Sequence, residues 1–238
     1  MTLEIKGFIE TSMVDWDGKL ASVVFLPGCN FRCPYCHNIG LIDHPEKYKT
    51  IPEEKIFEYL ESHKDFIDGV CITGGEPTLY KDSGLTEFIK RIKQDGFLIK
   101  LDTNGSSPDY VKELVKNRLI DFVAMDIKAP LEDYIKVTRV VMDTEMIKKS
   151  IQFLLSGKVD YEFRTTVAPT LIGHDEIEKI AKMIAGARKF VLQQFEPENC
   201  NDIQLKKLKP LDAETMDKMR KTAHIYVENV FCRGKGLK

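Results

Sequence analysis

Apolar runs of strand length alternate along the chain with amphipathic segments of helix length. Residues 20–27 read LASVVFLP, a β-branched apolar run typical of a buried strand, and residues 51–63 place Ile56, Tyr59 and Leu60 on one helical face. The same alternation predicts further strands at 69–74, 97–103, 121–127, 161–167, 189–195 and 225–231. It predicts further helices at 83–96, 107–117, about 143–155, about 174–185 and 212–223. This order indicates a parallel sheet with helical crossovers.

The number of units limits the choice of α/β fold. Six strand–helix units and a last strand are too few for a closed eight-stranded barrel. We therefore predict an open, partial (β/α)6 barrel, with a doubly wound sheet as the alternative. No repeat, low-complexity tract or linker interrupts the 238 residues, so a single domain over 1–238 is expected.

Composition and charge exclude several classes of protein. Lys and Arg number 35 and Asp and Glu number 37, a balance that argues against nucleic acid as the main partner. No apolar run approaches the roughly 20 residues that span a bilayer, and the first residues lack the apolar core of a signal peptide. We therefore expect a cytoplasmic protein without a membrane partner, whose thiols stay reduced.

Polar stretches follow the predicted strands at their carboxyl ends. In chain order they read GCNFRCPYCHN, TGGEP, DTNG and DIK after the first four strands, and QQ at the end of the sixth, while Arg164 and Thr166 lie within the fifth. The carboxyl ends of parallel strands hold the active site in α/β folds. One open cleft would therefore collect all of these stretches.

Three cysteines fall within eight residues, as Cys29, Cys33 and Cys36. A structural zinc site that includes His37 is one interpretation, although Cys36 and His37 are neighbours and no second C-x2-C follows. A redox pair of Cys33 and Cys36 is another, but it leaves Cys29 without a role. An iron–sulfur cluster is favoured, because three thiolates on a four-iron cluster leave one iron open to a substrate or cofactor.

The three other cysteines are scattered singly. Cys71 and Cys232 lie in apolar strands, where a lone cysteine is usually a small core residue. Cys200 lies in a polar loop and is ambiguous. Three isolated thiols cannot build a second four-cysteine cluster, so no auxiliary cluster is expected.

The cysteine motif resembles a known signature. C-x3-C-x-Y-C resembles that of the radical S-adenosylmethionine superfamily, and the following HN is typical of glycyl-radical activating enzymes. Residues 7–38 are similar to the start of anaerobic ribonucleoside-triphosphate reductase activating proteins, and TGGEPTL, LDTNG, AMDIKAP and LQQFEP match later motifs in order. The resemblance implies a partial (β/α)6 barrel, a [4Fe–4S] cluster and S-adenosylmethionine as cofactors.

The resemblance also implies residue roles around the cluster. Cys29, Cys33 and Cys36 would bind the cluster, and Tyr35 would pack near the adenine unless it is merely buried. The stretch Gly74, Gly75 and Glu76 would receive the methionyl amino group, since glycines let backbone carbonyl groups approach an ammonium closely.

Further residues would surround the carboxylate end of the cofactor. The resemblance implies a monovalent cation held by Asp102, Thr103 and Asp126, with Lys128 facing the cofactor carboxylate; otherwise the two acids cap helices. Arg164 lies in an apolar strand and therefore needs an anion in the cleft, for which that carboxylate is the candidate. Gln193 or Gln194 would contact the ribose, with Gln194 as the chosen candidate.

The resemblance finally implies a reaction and partners. Flavodoxin or ferredoxin would supply one electron, and a 5′-deoxyadenosyl radical would take a hydrogen atom from a glycine of a glycyl-radical enzyme, by default anaerobic ribonucleotide reductase. The alternatives are a radical enzyme acting on a small molecule, such as a modified-base precursor, and a non-enzymatic metal-binding module. The segment 1–19 is expected near the cluster face, and its DWDGK departs from the family pattern at Asp17.

Overall fold

Eight strands form one open sheet in chain order in the computed structural model, which describes residues 3–200 and 202–235. The strands are β1 Gly7–Ser12, β2 Ala21–Leu26, β3 Gly69–Gly74, β4 Leu98–Thr103, β5 Phe122–Asp126, β6 Asp160–Val167, β7 Lys189–Gln194 and β8 Asn229–Arg233. The first strand is antiparallel to β2, and every later pair is parallel. A doubly wound sheet reverses its strand order at a switch point, so this sequential order confirms the partial barrel instead.

Helices connect the parallel strands. They are α1 Ile39–Asp43, α2 Glu53–Ser62, α3 Leu85–Gln94, α4 Pro108–Lys116, α5 Tyr134–Thr138, α6 Glu145–Leu155, α7 His174–Met183 and α8 Ala213–Ala223. The six longer helices confirm the six predicted ones within about two residues at each end. The amphipathic pattern explains their packing: α3, for example, buries Leu85, Phe88, Ile89 and Ile92 and exposes charged residues between them.

Four elements differ from the prediction. The pattern did not predict β1, an edge strand whose middle residues are exposed, nor the five-residue helices α1 and α5. The last strand begins at Asn229 rather than at residue 225. The reason is a turn after α8, in which the amide groups of Tyr226 and Val227 both donate to the Ala223 carbonyl.

The two faces of the sheet differ in chemistry. Side chains alternate along a strand, so Ile99 and Leu101 of β4 face away from Lys100 and Asp102. The apolar face packs beneath the helices and forms one continuous core. The opposite face lies inside the partial barrel and carries buried charges, among them Lys100, Glu162 and Arg164. Buried charges require partners, and ion pairs inside the barrel supply them.

The segment 13–19 lies at the amino-terminal ends of the parallel strands. Trp16 packs against Phe122, the first residue of β5, with ring centroids 5.9 Å apart. The Asp17 carboxylate accepts from Lys189, the first residue of β7, at 2.6 Å. This end is opposite to the cysteine loop, so the expectation that the segment 1–19 lies near the cluster face is wrong for residues 13–19. The start of β1, where Gly7 pairs with Phe25 at the carboxyl end of β2, does lie on that side. Asp15 alone among residues 13–19 lines the cavity described below.

One further observation concerns membranes. None of the helices in residues 3–200 and 202–235 combines the length and the apolar character that crossing a bilayer requires.

Candidate active site

A cavity of about 330 Å³ opens at the carboxyl ends of the strands. All of the predicted site residues except Glu76 and Gln194 line it. The cavity therefore brings together the stretches that follow successive strands, as the parallel topology predicts. Its wall comprises Asp15, Phe25, Cys29, Phe31, Cys33, Tyr35, Cys36, His37, Asn38, Ile42, Thr73, Gly74, Gly75, Asp102, Thr103, Asn104, Asp126, Lys128, Arg164, Thr166 and Gln193.

The three cysteines lie on the loop between β2 and α1. Cys33 is buried, Cys29 and Cys36 are half-buried, and all six cysteines of the chain are free thiols. Burial raises the pKa of Cys29 to about 11 and that of Cys33 to about 12. A bound metal deprotonates a coordinating thiol outright, so a metal centre would offset this cost of forming the thiolates.

The three thiols share the wall of one cavity. No three His, Cys, Asp or Glu side chains in the described ranges are placed to hold one metal ion together, so the zinc interpretation with His37 gains no support. In a four-iron cluster each cysteine binds a different iron, and the sulfurs need not converge on one point. Three free thiols around one cavity therefore fit a [4Fe–4S] cluster.

The glycine pair lies directly against the cysteine loop. The Gly75 amide donates to the Leu26 carbonyl at 2.8 Å. A side chain at Gly74 would overlap the Leu26 backbone, and one at Gly75 would overlap the Gly28 carbonyl oxygen. The Asn38 side chain donates to the Gly74 carbonyl oxygen at 2.7 Å. Glycine is thus required at both positions by close backbone packing.

Glu76 holds two loops together rather than lining the cavity. Its fully buried carboxylate accepts the Thr78 amide at 3.1 Å and the Thr78 hydroxyl at 2.5 Å. It also accepts the Thr103 hydroxyl at 2.8 Å and the Asn104 amide at 2.6 Å. The Glu76 side chain thus joins the loop after β3 to the end of β4 and the residue that follows it, and the predicted backbone contact of this stretch with the methionyl amino group stays a prediction. Burial raises the pKa of this carboxyl, and the four donors oppose that rise.

A chain of ion pairs crosses the cavity floor. The Arg164 guanidinium donates to Asp126 at 2.7 Å and to Asp102 at 3.0 Å. Lys100 donates to the other oxygen of Asp102 at 2.6 Å, and Lys128 to the other oxygen of Asp126 at 3.0 Å. Burial opposes ionisation of both carboxyls, but Arg164 and the lysines outweigh it and hold the pKa of Asp102 and of Asp126 below the usual range. This chain of ion pairs contains three cations and two anions.

Tyr35 and Gln193 complete the cavity wall. Among the described residues, the Tyr35 hydroxyl is the buried side-chain polar atom without a hydrogen-bond partner. Such an unpaired group costs free energy unless a ligand supplies a partner, so Tyr35 fits a cavity that holds one. Gln193 lines the cavity, whereas Gln194 donates to the Leu211 carbonyl at 2.7 Å. The choice of Gln194 is corrected, because successive side chains of β7 point to opposite faces.

Some site residues had no assigned role in the sequence interpretation. Asn38 lies in the motif HN and Asn104 in the motif DTNG, so their positions within these motifs could have predicted a role for both. The Asn104 side-chain amide donates to the side-chain oxygen Oδ1 of Asn30 at 2.8 Å and lies 3.9 Å from the Cys29 sulfur. The sequence did not indicate a role for Asp15, since this residue reaches the cavity from the opposite end of the sheet.

Comparison with known proteins identifies the family. The model of the radical SAM superfamily matches residues 23–185. The chain belongs to the radical S-adenosylmethionine superfamily and is an enzyme of that class.

Two relatives and one solved structure are similar to this chain. A Methanocaldococcus jannaschii protein with the provisional name glycyl-radical enzyme activating enzyme is 36% identical over 233 residues, which cover 96% of this chain and 95% of the relative. The pyruvate formate-lyase-activating enzyme of Clostridium pasteurianum is 28% identical over 233 residues, with 88% and 92% covered. A domain of pyruvate-formate lyase-activating enzyme from Bacteroides vulgatus aligns with a TM-score of 0.56 at 19% identity, over 70% of this chain and 99% of that domain, which supports the shared fold.

Proposed function

We propose that this protein is an activating enzyme of a glycyl-radical enzyme, and that it acts on anaerobic ribonucleoside-triphosphate reductase. The observation that carries the proposal is the single cavity in which three free thiols, a close-packed glycine pair and a net positive chain of ion pairs meet. Relatives that span nearly the whole chain carry activating-enzyme names. The reductase as partner rests on the sequence similarity of residues 7–38 and the later motifs.

Each part of the cavity has a proposed task. Cys29, Cys33 and Cys36 would hold a [4Fe–4S] cluster, and the backbone at Gly74 and Gly75 would accept the amino group of S-adenosylmethionine. When bound, the cluster and S-adenosylmethionine supply a 5′-deoxyadenosyl radical. The residues of this chain orient the cofactor and keep its reactive carbon directed at the partner's glycine.

The ion-pair chain would bind the cofactor carboxylate. Lys100, Arg164 and Lys128 carry three positive charges against the two negative charges of Asp102 and Asp126. The single excess positive charge has no partner within that chain of contacts, and a carboxylate would neutralise it. Tyr35 would offer its hydroxyl or ring to the nucleoside, and Gln193 its amide to the ribose.

A monovalent cation at Asp102, Thr103 and Asp126 remains a prediction. Because Arg164 already bridges both carboxylates, a bound cation would have to share their oxygens with the guanidinium. Titration with K⁺ in the presence of S-adenosylmethionine tests it: an ion-dependent rise in cofactor affinity supports the cation, and an unchanged affinity opposes it.

The partners and location follow from the same proposal. Flavodoxin or ferredoxin would supply the electron, and neither nucleic acid nor a membrane is expected to bind. Six free thiols and an oxygen-sensitive cofactor are consistent with the reducing cytoplasm.

Electron paramagnetic resonance tests the proposal directly. The anaerobically reconstituted protein is mixed with the reductase, reductant and S-adenosylmethionine, and a glycyl doublet on the reductase is the expected result. A Cys33→Ala variant is the matched control and should give no doublet. If S-adenosylmethionine is cleaved but no glycyl-radical protein acquires a doublet, an enzyme that acts on a small molecule becomes the better explanation.

A further inference from the structure

Asn104 reaches the cysteine loop from the carboxyl end of β4. The residue is 5% exposed, and its backbone amide donates to the buried Glu76 carboxylate at 2.6 Å. It lines the cavity together with Cys29. The tasks proposed above for the cavity leave Asn104 without one, although its side chain touches the first of the three cysteines.

The contacts of the Asn104 side chain determine which of its ends faces the cysteine loop. The Ser106 amide can only donate, and it donates to the Asn104 side-chain oxygen at 3.0 Å. The NH2 group of Asn104 therefore points the other way, where one N–H donates to the Asn30 side-chain oxygen at 2.8 Å. The Asn30 NH2 group donates in turn to the Ser106 hydroxyl at 2.9 Å, which agrees with this orientation.

The second N–H of Asn104 has the Cys29 sulfur as its acceptor. In the part of the chain that the structure describes, the amide nitrogen has two hydrogen-bond partners, the Asn30 oxygen and the Cys29 sulfur, the latter at 3.9 Å. A thiol is a weak acceptor, whereas a charged acceptor forms shorter and stronger hydrogen bonds. The contact should therefore strengthen when Cys29 becomes a metal-bound thiolate.

A backbone donor reaches the same sulfur. The Phe31 amide donates to the Cys29 sulfur at 3.3 Å, so two N–H groups converge on this atom. The Phe31 donor belongs to the main chain of the cysteine loop. The Asn104 donor belongs to a side chain on another loop, and substitution can therefore remove it while the cysteine loop keeps its sequence.

N–H donors at a ligating sulfur favour the more electron-rich state of an iron–sulfur centre. Hydrogen bonds to the sulfurs are among the factors that set the reduction potential of such a centre, together with its net charge and its exposure. An added electron makes the sulfurs more negative, so each N–H···S bond becomes stronger on reduction. The loss of one such bond should lower the potential.

We propose that Asn104 is a positioning residue that holds one N–H against the Cys29 sulfur and thereby favours the one-electron-reduced state of the centre bound by the cysteines. The proposal rests on the proposed function, because that function requires a redox-active cluster at Cys29, Cys33 and Cys36. Reduction moves one electron from an external low-potential carrier to the centre, so the carrier is oxidised by one electron and no bond or proton changes. Asn104 acts through Cys29 and exchanges no electron itself.

Two substitutions separate the contact with sulfur from the hydrogen bond between the loops. Asn104→Ser removes the NH2 group, while the serine hydroxyl can still accept the amide two residues further on. Asn30→Ala breaks the Asn104–Asn30 hydrogen bond but leaves the Asn104 N–H beside the sulfur. The Asn30 oxygen, 3.9 Å from that sulfur, accepts and does not donate, so its loss should not disfavour reduction.

The measurement is a redox titration of the reconstituted proteins. Each is loaded anaerobically, its iron and sulfide are determined, and dithionite titration followed by electron paramagnetic resonance gives the midpoint potential without S-adenosylmethionine or a partner protein. At the wild-type midpoint, the ratio of reduced to oxidised centre in Asn104→Ser should fall by about threefold to tenfold, and tenfold corresponds to about 59 mV for one electron. Asn30→Ala should stay within about twofold of wild type, and iron content should be equal in all three.

Other outcomes would overturn the proposal. An unchanged midpoint in Asn104→Ser would show that its N–H does not act on the sulfur. An equal fall in Asn30→Ala would make the hydrogen bond between the loops the cause, and loss of iron from Asn104→Ser would assign the residue to cluster retention instead. If the midpoint falls as expected yet no glycyl-radical enzyme acquires a doublet, the proposed function fails and the role of Asn104 stands.

Discussion

The side-chain amide of Asn38 donates to the Gly74 carbonyl oxygen at 2.7 Å and thereby joins the cysteine loop to the glycine pair. We expect Asn38→Ala to loosen this junction and to lower both cluster retention and affinity for S-adenosylmethionine by severalfold, since one hydrogen bond contributes about 0.5–1.5 kcal/mol. Iron and sulfide content after gel filtration, followed by calorimetry with the cofactor, measures both.

Two further variants make the Asn38 prediction specific. Asn38→Asp has nearly the same shape but no donor, so it should behave at least as poorly as alanine. Asn117→Ala, on an exposed helix end, should resemble the wild type. Full cluster retention in both Asn38 variants would contradict the role of this bond.

Gln193 and Gln194 provide a matched pair on one strand. Gln193 lines the cavity and Gln194 donates to Leu211, so Gln193→Ala should weaken binding of S-adenosylmethionine by about twofold to tenfold, while Gln194→Ala should not. Calorimetric titration of each reconstituted variant gives the two dissociation constants. The reverse order would restore the choice made from sequence.

Arg164 pairs with two buried carboxylates, and its removal should destabilise the fold. Arg164→Met leaves Asp102 and Asp126 without their shared cation, which for a buried pair costs about 3–5 kcal/mol. Urea denaturation of the metal-free protein measures the loss. Arg188→Met breaks an exposed pair with Asp160 at 3.7 Å and should cost less than about 1 kcal/mol. A loss below about 1 kcal/mol for Arg164→Met as well would show that the buried network adds little stability.

Asp17 should contribute stability that depends on pH. Burial would raise the pKa of its carboxyl, but Lys189 and Arg233 outweigh burial and lower the pKa from 3.8. A depressed carboxyl pKa stabilises the fold above the unfolded value and loses that effect as pH falls through the folded value. Asp17→Asn should therefore lower the melting temperature at pH 7, and the difference from wild type should close below about pH 4. Asp65→Asn, at an exposed position, is the control; a pH-independent difference for Asp17→Asn would contradict the ion pairs.

The sequence predicted the parallel strands and longer helices because their apolar periodicity is strong. Runs such as LASVVFLP are bounded by polar motifs, and α3 keeps its apolar residues on one face. The edge strand β1 was not predicted because an edge strand with exposed residues has no continuous apolar run. The short helices α1 and α5 offer too few residues for a period to be recognised.

The site could be predicted where a motif alone places a side chain, and not where pairing decides its contacts. The cysteines and the strand-end acids meet because parallel strands end together. Glu76 is different: its motif position suggests the cofactor, but three-dimensional contacts with Thr103 and Asn104 turn it inward. Likewise, DWDGK sits close to the cysteines in sequence, yet the antiparallel β1–β2 turn carries it to the far end of the sheet.

In the partial barrel, the residues that stabilise the fold and the residues that balance charge in the interior belong to different layers. Stability against unfolding comes mainly from the apolar layer between sheet and helices, where shape and volume constrain each side chain. The inner face is constrained by charge balance instead, through Lys100, Asp102, Asp126, Arg164 and Lys128. Paired substitutions that preserve the net charge could therefore change the shape of this interior while the outer layer stays intact. The chemistry of the site and the stability of the fold can then change at different rates.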